Sequence, residues 1–266
     1  MHDRFLDETG DTSFYRKGRT LAVGQPGCSL AFGIGMLKVA EPLDALRKRI
    51  RALQIKVMND PALNGTRSVQ RHLTKRNFHF HAADDHGAVR QVFFDFIQTV
   101  DCRVTVVMAR KIPSVFKSQH QEDETTFYTD VLSHLLKDRL QLEGVLRLTI
   151  AQRGRSTQNE SLHASLAKAK FRFDKRFQPE KRRTIVDFQV RDYQEEPILS
   201  IADYLNWAVQ RVFERGDDHW YWAMQKHIPL VIDIYDRSKW ADNRHYYRPN
   251  TDNYLGPMNK LSPPTS

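Results

Sequence analysis

Apolar residues follow two patterns along the chain: short continuous runs, and longer stretches with an apolar position every three or four residues. The runs at 28–39, 102–109 and 145–151 predict buried strands. The spaced stretches that begin near Pro42 and Asp84 predict helices. The same reasoning predicts helices over about 124–141, 159–177, 200–215 and 219–227, and strands over 4–7, 13–24, 77–81 and 184–190.

The order of these elements predicts a single domain of the α/β class. The strands at 4–7, 13–24 and 28–39 are joined by short turns and predict an antiparallel meander. Helices then alternate with strands, as in folds that place helices against a sheet. We expect one domain over 1–241 and an irregular, loosely held tail over 242–266.

Composition narrows the class of protein. Hydrophobic residues make up 40% of the chain and charged residues 27%, which is typical of a globular protein. Two cysteines, Cys28 and Cys102, exclude a disulfide-stapled scaffold and a multi-cysteine zinc ribbon. The chain has no run of about 18 apolar residues and no apolar segment after a basic start. We therefore expect a cytoplasmic protein with neither a membrane span nor a secretory signal.

Charge favours a polyanionic partner. The 41 basic and 32 acidic residues give a net charge of +9, and neutralised phosphates release counterions. One predicted helix interleaves basic residues with Phe171, Phe173 and Phe177. Its charges predict either nucleic-acid contacts or a solvated face over a buried stripe. The candidate nucleic-acid residues are Lys168, Lys170, Arg172, Lys175, Arg176, Arg182 and Arg183.

Three carboxylates lie close together where the first strand ends. Asp7, Glu8 and Asp11 surround a glycine turn at Gly10. Oxygen-rich groups of this kind suit magnesium or manganese, and the turn can bring Asp11 back beside Asp7. The alternative is an ordinary acidic turn that uses Asp and Gly for conformational reasons.

Two further places carry titratable side chains. His79 and His81 share one face of a predicted strand, and Asp84 follows them, a workable spacing for metal ligands. The alternative is a strand that runs into an Asp helix cap. Asp203 lies off the apolar stripe of the helix over 200–215, where the helix dipole alone explains a solvated acid in the first turn.

Taken together, these motifs resemble the bacterial family known as domain of unknown function 3800. Phe5-Leu-Asp-Glu-Thr-Gly-Asp11 is similar to the opening signature of that family. The segment 145–154 resembles its later strand, and Ile198-Leu-Ser-Ile-Ala-Asp-Tyr204 resembles the start of its closing helix. Residues 229–256 are similar to its tail, so the resemblance extends over almost the whole chain.

The resemblance implies a ribonuclease H-like α/β fold: a mixed sheet with three antiparallel N-terminal strands and helices on both faces. In that fold the first strand and a late helix each supply a metal-binding carboxylate, and Asp7 and Asp203 occupy those places. It thus implies catalytic roles for Asp7, Glu8 and Asp203. It also implies magnesium or manganese ligation by Asp7, Asp11 and Asp203.

The chain departs from the family at one expected ligand. The family often has an acidic residue before the Arg-Gly pair, whereas this chain has Ala151 and Gln152 there. The candidates for an additional ligand are His81, Asp84, Gln152 and Asp187.

Two functions follow as expectations. The leading one is a divalent-metal-dependent nuclease, or another phosphoryl-transfer enzyme, that acts on nucleic acid. The alternative is a non-catalytic nucleic-acid or protein-binding module with a degraded metal site, which Ala151 and Gln152 favour. We expect nucleic acid as the partner and no membrane, with room for a protein partner or a homo-oligomer. The resemblance also implies a mobile-element or phage-defence setting.

Overall fold

The computed structural model describes residues 1–73, 78–152, 159–181 and 183–264. Its strands are β1 (His2–Thr9), β2 (Ala31–Val39), β3 (Cys102–Arg110), β4 (Gly144–Ala151), β5 (Thr184–Arg191), β6 (Leu230–Asp233) and β7 (Tyr246–Tyr247). Its helices are α1 (Leu43–Asn59), α2 (Arg67–Leu73), α3 (Gly87–Gln98), α4 (Pro113–His120), α5 (Glu124–Leu136), α6 (Asn159–Arg176), α7 (Leu199–Arg215) and α8 (His219–Ala223).

The strands in this described part form a seven-stranded mixed sheet in the order β5-β4-β1-β2-β3-β6-β7. β2 is antiparallel to both β1 and β3, whereas β4 is parallel to β1 and β5 is parallel to β4. β1 therefore lies inside the sheet. Leu6 pairs with Ile150 of β4, so Asp7 lies beside Ala151, the last residue of β4. The predicted α/β class with a mixed sheet is confirmed.

Helices cover both faces of the sheet and form two apolar layers. The first layer packs α1, α3 and α7 against side chains that include Phe5 and Ala151. The second packs α4, α5 and α6 against side chains that include Leu6. Successive residues of a strand point to opposite faces, so Asp7 faces the α7 layer and Glu8 faces the α5–α6 layer.

Continuous apolar runs and regular helical spacing gave the correct predictions. β2, β3, β4 and β5 lie where strands were predicted, and α1, α5, α6 and α7 lie where helices were predicted. These elements supply most of the buried apolar side chains of both layers, which explains their clear patterns. In the described residues no helix combines the length and the apolar character needed to cross a membrane.

The predicted N-terminal meander was wrong. The segment 13–24, all of it described, forms no strand; it contains a 3-10 turn at Lys17–Arg19 and one isolated bridge between Tyr15 and Leu21. The polar run around Gly18, whose φ is +79°, ends any extended conformation there. The third antiparallel strand is β3, which comes after α1, α2 and α3 in the chain.

The predicted strand and helix boundaries around His81 were also wrong. The described residues 78–81 form no strand, although Phe78 and Phe80 are buried in the α7 layer; Asn77 lies outside the described residues. Alternating burial here reflects an extended loop that packs on the core. The next helix begins at Gly87 rather than at Asp84, and the His86 side chain accepts a hydrogen bond from the Ala88 N–H at 3.3 Å.

Parts of residues 242–264 dock on the rest of the structure. Tyr246 and Tyr247 form β7 on the outer side of β6. The side chains of Tyr247 and Leu255 are buried, and the Leu261 N–H donates to the Phe213 carbonyl at 2.8 Å. A few apolar side chains of residues 246–261 therefore attach this otherwise irregular segment to the core.

Candidate functional site

A close contact between β1 and α7 positions the candidate site. The Asn206 Nδ2 atom of α7 donates a hydrogen bond to the backbone carbonyl of Asp7 at 2.8 Å. Gly35 lies opposite Asp7 on β2, and a Cβ atom there would lie 1.8 Å from Asn206 Oδ1. Only glycine therefore leaves room for the Asn206 amide. Asp203 lies one turn before Asn206 on the same helix and reaches the same junction.

Asp7 and Asp203 form a buried pair of like-charged groups. Their exposed fractions are 4% and 6%. Burial, followed by repulsion from Asp203, raises the pKa of Asp7 well above its usual range. Burial also raises the pKa of Asp203, although the nearby His81 opposes that shift. Among the described residues, no lysine or arginine forms an ion pair with either carboxylate.

Tyr193 covers the Asp7 side of the pair. Its hydroxyl donates to Asp7 Oδ2 at 2.8 Å, and the backbone N–H of Glu8 donates to Asp7 Oδ1 at 2.8 Å. The Tyr193 ring stacks on His79, with ring centroids 4.9 Å apart. Burial and then the charge of Asp7 raise the pKa of Tyr193 well above its usual range, so the hydroxyl keeps its proton and acts as a donor.

The loop between α2 and α3 covers the Asp203 side. The Ala82 N–H donates to Asp203 Oδ2 at 2.6 Å. His81 Nε2 lies 4.0 Å from Asp203 Oδ1, and His81 Nδ1 lies 3.8 Å from Asp84 Oδ2. The His81 side chain is 33% exposed, so it connects the buried pair with solvent. Asp84 itself is half exposed and is directed toward Arg71 at 3.6 Å, so it contributes to the rim of the site.

A third buried carboxylate, Asp85, holds this loop in place. It accepts hydrogen bonds from the His81 N–H at 2.9 Å and from the Tyr204 hydroxyl of α7. Burial is the main cause that raises the pKa of Asp85 to about 6. Tyr204 follows Asp203 in the chain. The helix α7 therefore positions both the Asp7–Asp203 pair and the loop between α2 and α3.

Glu8 and Asp11 do not join the pair. Glu8 lies on the other face of β1, as alternation along a strand requires. Asp11 Oδ1 accepts from Lys111 Nζ at 2.7 Å, and Asp11 Oδ2 accepts from the Ser29 N–H at 2.7 Å. Although burial opposes ionisation, these bonds lower the pKa of Asp11. The turn thus directs Asp11 into an ion pair with the buried Lys111, and metal ligation by Asp11 stays a prediction.

The remaining candidate ligands lie at the borders of the site. The Ala151 side chain is buried in the α7 layer, next to Asp7. Gln152 is exposed beyond the end of β4, and its N–H donates to the Arg191 carbonyl at 2.9 Å. Asp187 lies on β5 beside Arg147, which approaches its carboxylate to 3.5 Å. None of these three side chains adds a third carboxylate to the pair.

The basic helix α6 packs on the opposite face of the sheet from the pair, in the α5–α6 layer. Two of its predicted nucleic-acid residues turn inward instead. Arg172 forms an ion pair with the buried Asp130 of α5 at 2.6 Å, and Lys168 forms an ion pair with the same carboxylate. These ion pairs attach α6 to α5, and contact of the two residues with nucleic acid stays a prediction.

The other basic residues predicted for this surface are placed in several ways. Lys175 lies over the Phe171 ring, 4.5 Å from its centroid, and Arg176 lies 3.5 Å from Asp138. Lys170 is half-buried and Arg183 is exposed, while Arg182 lies outside the described residues. A solvated face explains these placements as well as a nucleic-acid surface does.

The pair fits a hard divalent cation of the kind predicted. Outside the gaps at 74–77, 153–158, 182 and 265–266, no three His, Cys, Asp or Glu side chains are gathered around one point as metal ligands. Magnesium, however, usually takes one or two carboxylates and keeps waters or substrate phosphates as its other ligands. Asp7 and Asp203 provide that number of carboxylates, and neither forms an ion pair with a lysine or arginine of the described residues.

Sequence reasoning missed Tyr193. It belongs to no motif and lies in a polar turn after β5, so only the fold shows that its hydroxyl reaches Asp7. A signal for Asp85 was present, since it follows the His79–Asp84 segment, but the sequence does not indicate which of the adjacent acids is buried.

Comparison with models of known protein families gave no match, and comparison with curated proteins found no significant similarity. The resemblance to the domain of unknown function 3800 family, and the ribonuclease H-like character of the sheet, stay predictions.

Proposed function

We propose that this protein is a divalent-metal-dependent nuclease, or a related phosphoryl-transfer enzyme acting on nucleic acid, built on a ribonuclease H-like fold. The observation that carries the proposal is the buried Asp7–Asp203 pair. Two buried carboxylates that repel each other oppose folding unless a proton or a cation neutralises them. A site that retains both acids is therefore suited to binding a cation.

The arrangement of the sheet supports the same proposal. β1, β2 and β3 are antiparallel neighbours, β4 lies parallel beside β1, and helices pack on both faces. The strand-end acid and the late-helix acid that the resemblance pairs are the two acids that interact here. The expected N-terminal meander differs from the structure in one respect, since β3 comes late in the chain, after α3.

The residues of the site have separate roles in this proposal. Asp7 and Asp203 hold the ion through their carboxylate oxygens. Bound magnesium or manganese would polarise a phosphoryl oxygen and lower the pKa of a water molecule. His81, exposed on one side and close to Asp203 on the other, is placed to exchange a proton with solvent at Nε2. Tyr193 orients the Asp7 carboxylate and limits access to it.

One observation favours the alternative, a non-catalytic binding module. The side chain beside Asp7 on β4 is the methyl group of Ala151, at the place where a third carboxylate would reach the pair. A site with only two carboxylates holds its ion less tightly than one with three, unless substrate phosphates complete the coordination.

Titration with manganese and a cleavage assay separate these functions. We expect the wild-type protein to bind manganese by calorimetry and to cleave labelled DNA or RNA with manganese or magnesium. Asp7→Asn and Asp203→Asn should each reduce cleavage by orders of magnitude, and the double variant should be little worse than either, as for residues that act as a unit. Asp44→Asn, which alters a carboxylate that is 89% exposed on α1, is the matched control.

Failure of the metal site and failure of the nuclease activity would give different results. A wild-type protein that binds neither ion would contradict the metal site itself. Manganese binding that both Asn variants abolish, with no cleavage of any DNA or RNA, would support the binding module instead of the nuclease.

A further inference from the structure

The outer edge of β5 is open for pairing with another strand. β4 pairs with one side of β5 along its full length, from Thr184 to Arg191, and no strand in the described part of the chain pairs with the other side. The register with β4 is unbroken, and the sequence of β5 has neither proline nor lysine. Proteins commonly protect edge strands with such residues or with bulges, because a long regular edge is a template for another strand.

Apolar side chains of β5 lie on both faces of the sheet, partly buried on one face and exposed on the other. Ile185 of β5 is 67% exposed. On the other face, His163 of α6 contacts Phe188 of β5 with ring centroids 6.1 Å apart. The edge therefore combines unpaired backbone groups with apolar surface, which favours a protein partner over solvent.

The side chains of β5 are complementary to a second copy of β5 in antiparallel orientation. With Gln189 opposite its own copy, Asp187 faces Arg191 and Phe188 faces Val190, twice across the two-fold axis. Opposite charges and aromatic–β-branched pairs are the cross-strand pairs that stabilise sheets. A register centred on Asp187 would instead oppose two carboxylates, and a register shifted by one residue would place polar side chains against apolar ones.

The ion pairs that Asp187 and Arg191 make within one chain leave both side chains available to a second chain. Asp187 lies 3.5 Å from Arg147, and Arg191 lies 3.4 Å from Glu195, with every one of these side chains at least 35% exposed. Ion pairs at such exposed positions contribute little to stability. They can therefore be exchanged for pairs with another chain at small cost.

We propose that β5 is a homodimer interface, in which two copies of this chain pair their β5 edges antiparallel and form one continuous sheet. The interface is isologous, so each charge pair occurs twice. This proposal is independent of the nuclease proposal, since it involves neither Asp7 nor Asp203.

Charge reversal tests the pairing. Sedimentation equilibrium over a range of protein concentrations should show a monomer–dimer equilibrium for the wild-type protein. Asp187→Arg and Arg191→Asp each place like charges opposite one another twice, so each should raise the dissociation constant by roughly tenfold or more. The double variant Asp187→Arg/Arg191→Asp restores opposite charges and should return the dissociation constant to near the wild-type value. Asp44→Arg on α1 is the control for net charge.

Hydrogen exchange of the wild-type protein is a second measurement that needs no variant. Protection of the outward-facing β5 amides should increase with protein concentration, whereas that of β7 should not. A wild-type protein that is monomeric at every concentration would overturn the proposal. So would a dimer that neither single reversal weakens, or one that the double reversal fails to restore.

Discussion

Replacing Gly35 by alanine should force α7 away from β1 and thereby disturb the carboxylate pair. A Cβ atom at position 35 would lie 1.8 Å from Asn206 Oδ1 and 2.6 Å from Asn206 Cγ, far inside van der Waals contact. Asn206 is fully buried and donates to the Asp7 carbonyl, so its amide has no free space to enter. Either the side chain loses this bond or the helix moves.

The magnitude follows from these two effects. Overpacking a buried contact typically costs about 1–3 kcal/mol. Leaving a buried hydrogen-bonding group without its partner costs about 1–3 kcal/mol more. We expect Gly35→Ala to lower the free energy of unfolding by about 2–6 kcal/mol, measured by urea denaturation followed by circular dichroism. Manganese binding should weaken in the fraction that stays folded, because Asp203 moves with α7.

Two variants show whether the stated contact is the cause. Gly65→Ala introduces the same methyl group where no atom lies within 4 Å and should change stability by less than about 0.5 kcal/mol. Asn206→Ala removes the obstacle, so adding Gly35→Ala to it should cost much less than in the wild-type background. A Gly35→Ala variant that loses less than about 1 kcal/mol, or that is strictly additive with Asn206→Ala, would refute this account of the β1–α7 contact.

Three other predictions concern polar groups that are buried or partly buried. Burial raises the folded-state pKa of Asp85 to about 6 from the ordinary 3.8. The free energy of unfolding should therefore fall by about 3 kcal/mol as the pH rises from about 4 to about 6. Asp85→Asn should flatten that part of a urea-denaturation profile measured between pH 4 and pH 8, and an unchanged slope would contradict the assignment. Asp130→Ala leaves Lys168 and Arg172 of α6 without their acid and should lower the free energy of unfolding by about 2–3 kcal/mol in the same assay. A loss under about 1 kcal/mol would show that these ion pairs contribute little to stability. Tyr193→Phe removes a donor from Asp7 Oδ2 and should tighten manganese binding in calorimetry, whereas weaker binding would make the hydroxyl part of the ion's support.

Local patterns predicted the elements whose residues are buried along most of their length. β3 and β4 are continuous apolar runs, and α7 carries a regular apolar stripe, so core packing and pattern agree. The segment 13–24 contains apolar residues as well, but Phe14 and Val23 dock individually into the α5–α6 layer without a strand partner. Periodicity alone does not distinguish an extended segment that is buried from one that is paired.

The sequence could not predict the parts of the site that depend on contacts between elements distant in the chain. The basic residues of α6 follow a helical period that fits a solvated face, yet Asp130 of α5 draws Lys168 and Arg172 inward. That acid is 5% exposed, and no feature of its own segment indicates which cations reach it. The meeting of Asp7 with Asp203 was implied only by the family resemblance, since the pairing depends on α7 crossing β1.

The way in which the pair is held argues that it is more than a tolerated defect. Burying two interacting carboxylates opposes folding, so a chain under selection for stability alone would replace either one with a neutral side chain. Here, instead, Gly35 leaves space for the helix that carries Asp203, Ala82 binds one carboxylate through its N–H, and Tyr193 binds the other through its hydroxyl. The two hydrogen bonds fix the orientation of acids whose charge is disfavoured by burial. Positioning of an unfavourable charge by several independent elements is what a preorganised cation site requires, and it is the physical basis on which the nuclease proposal rests.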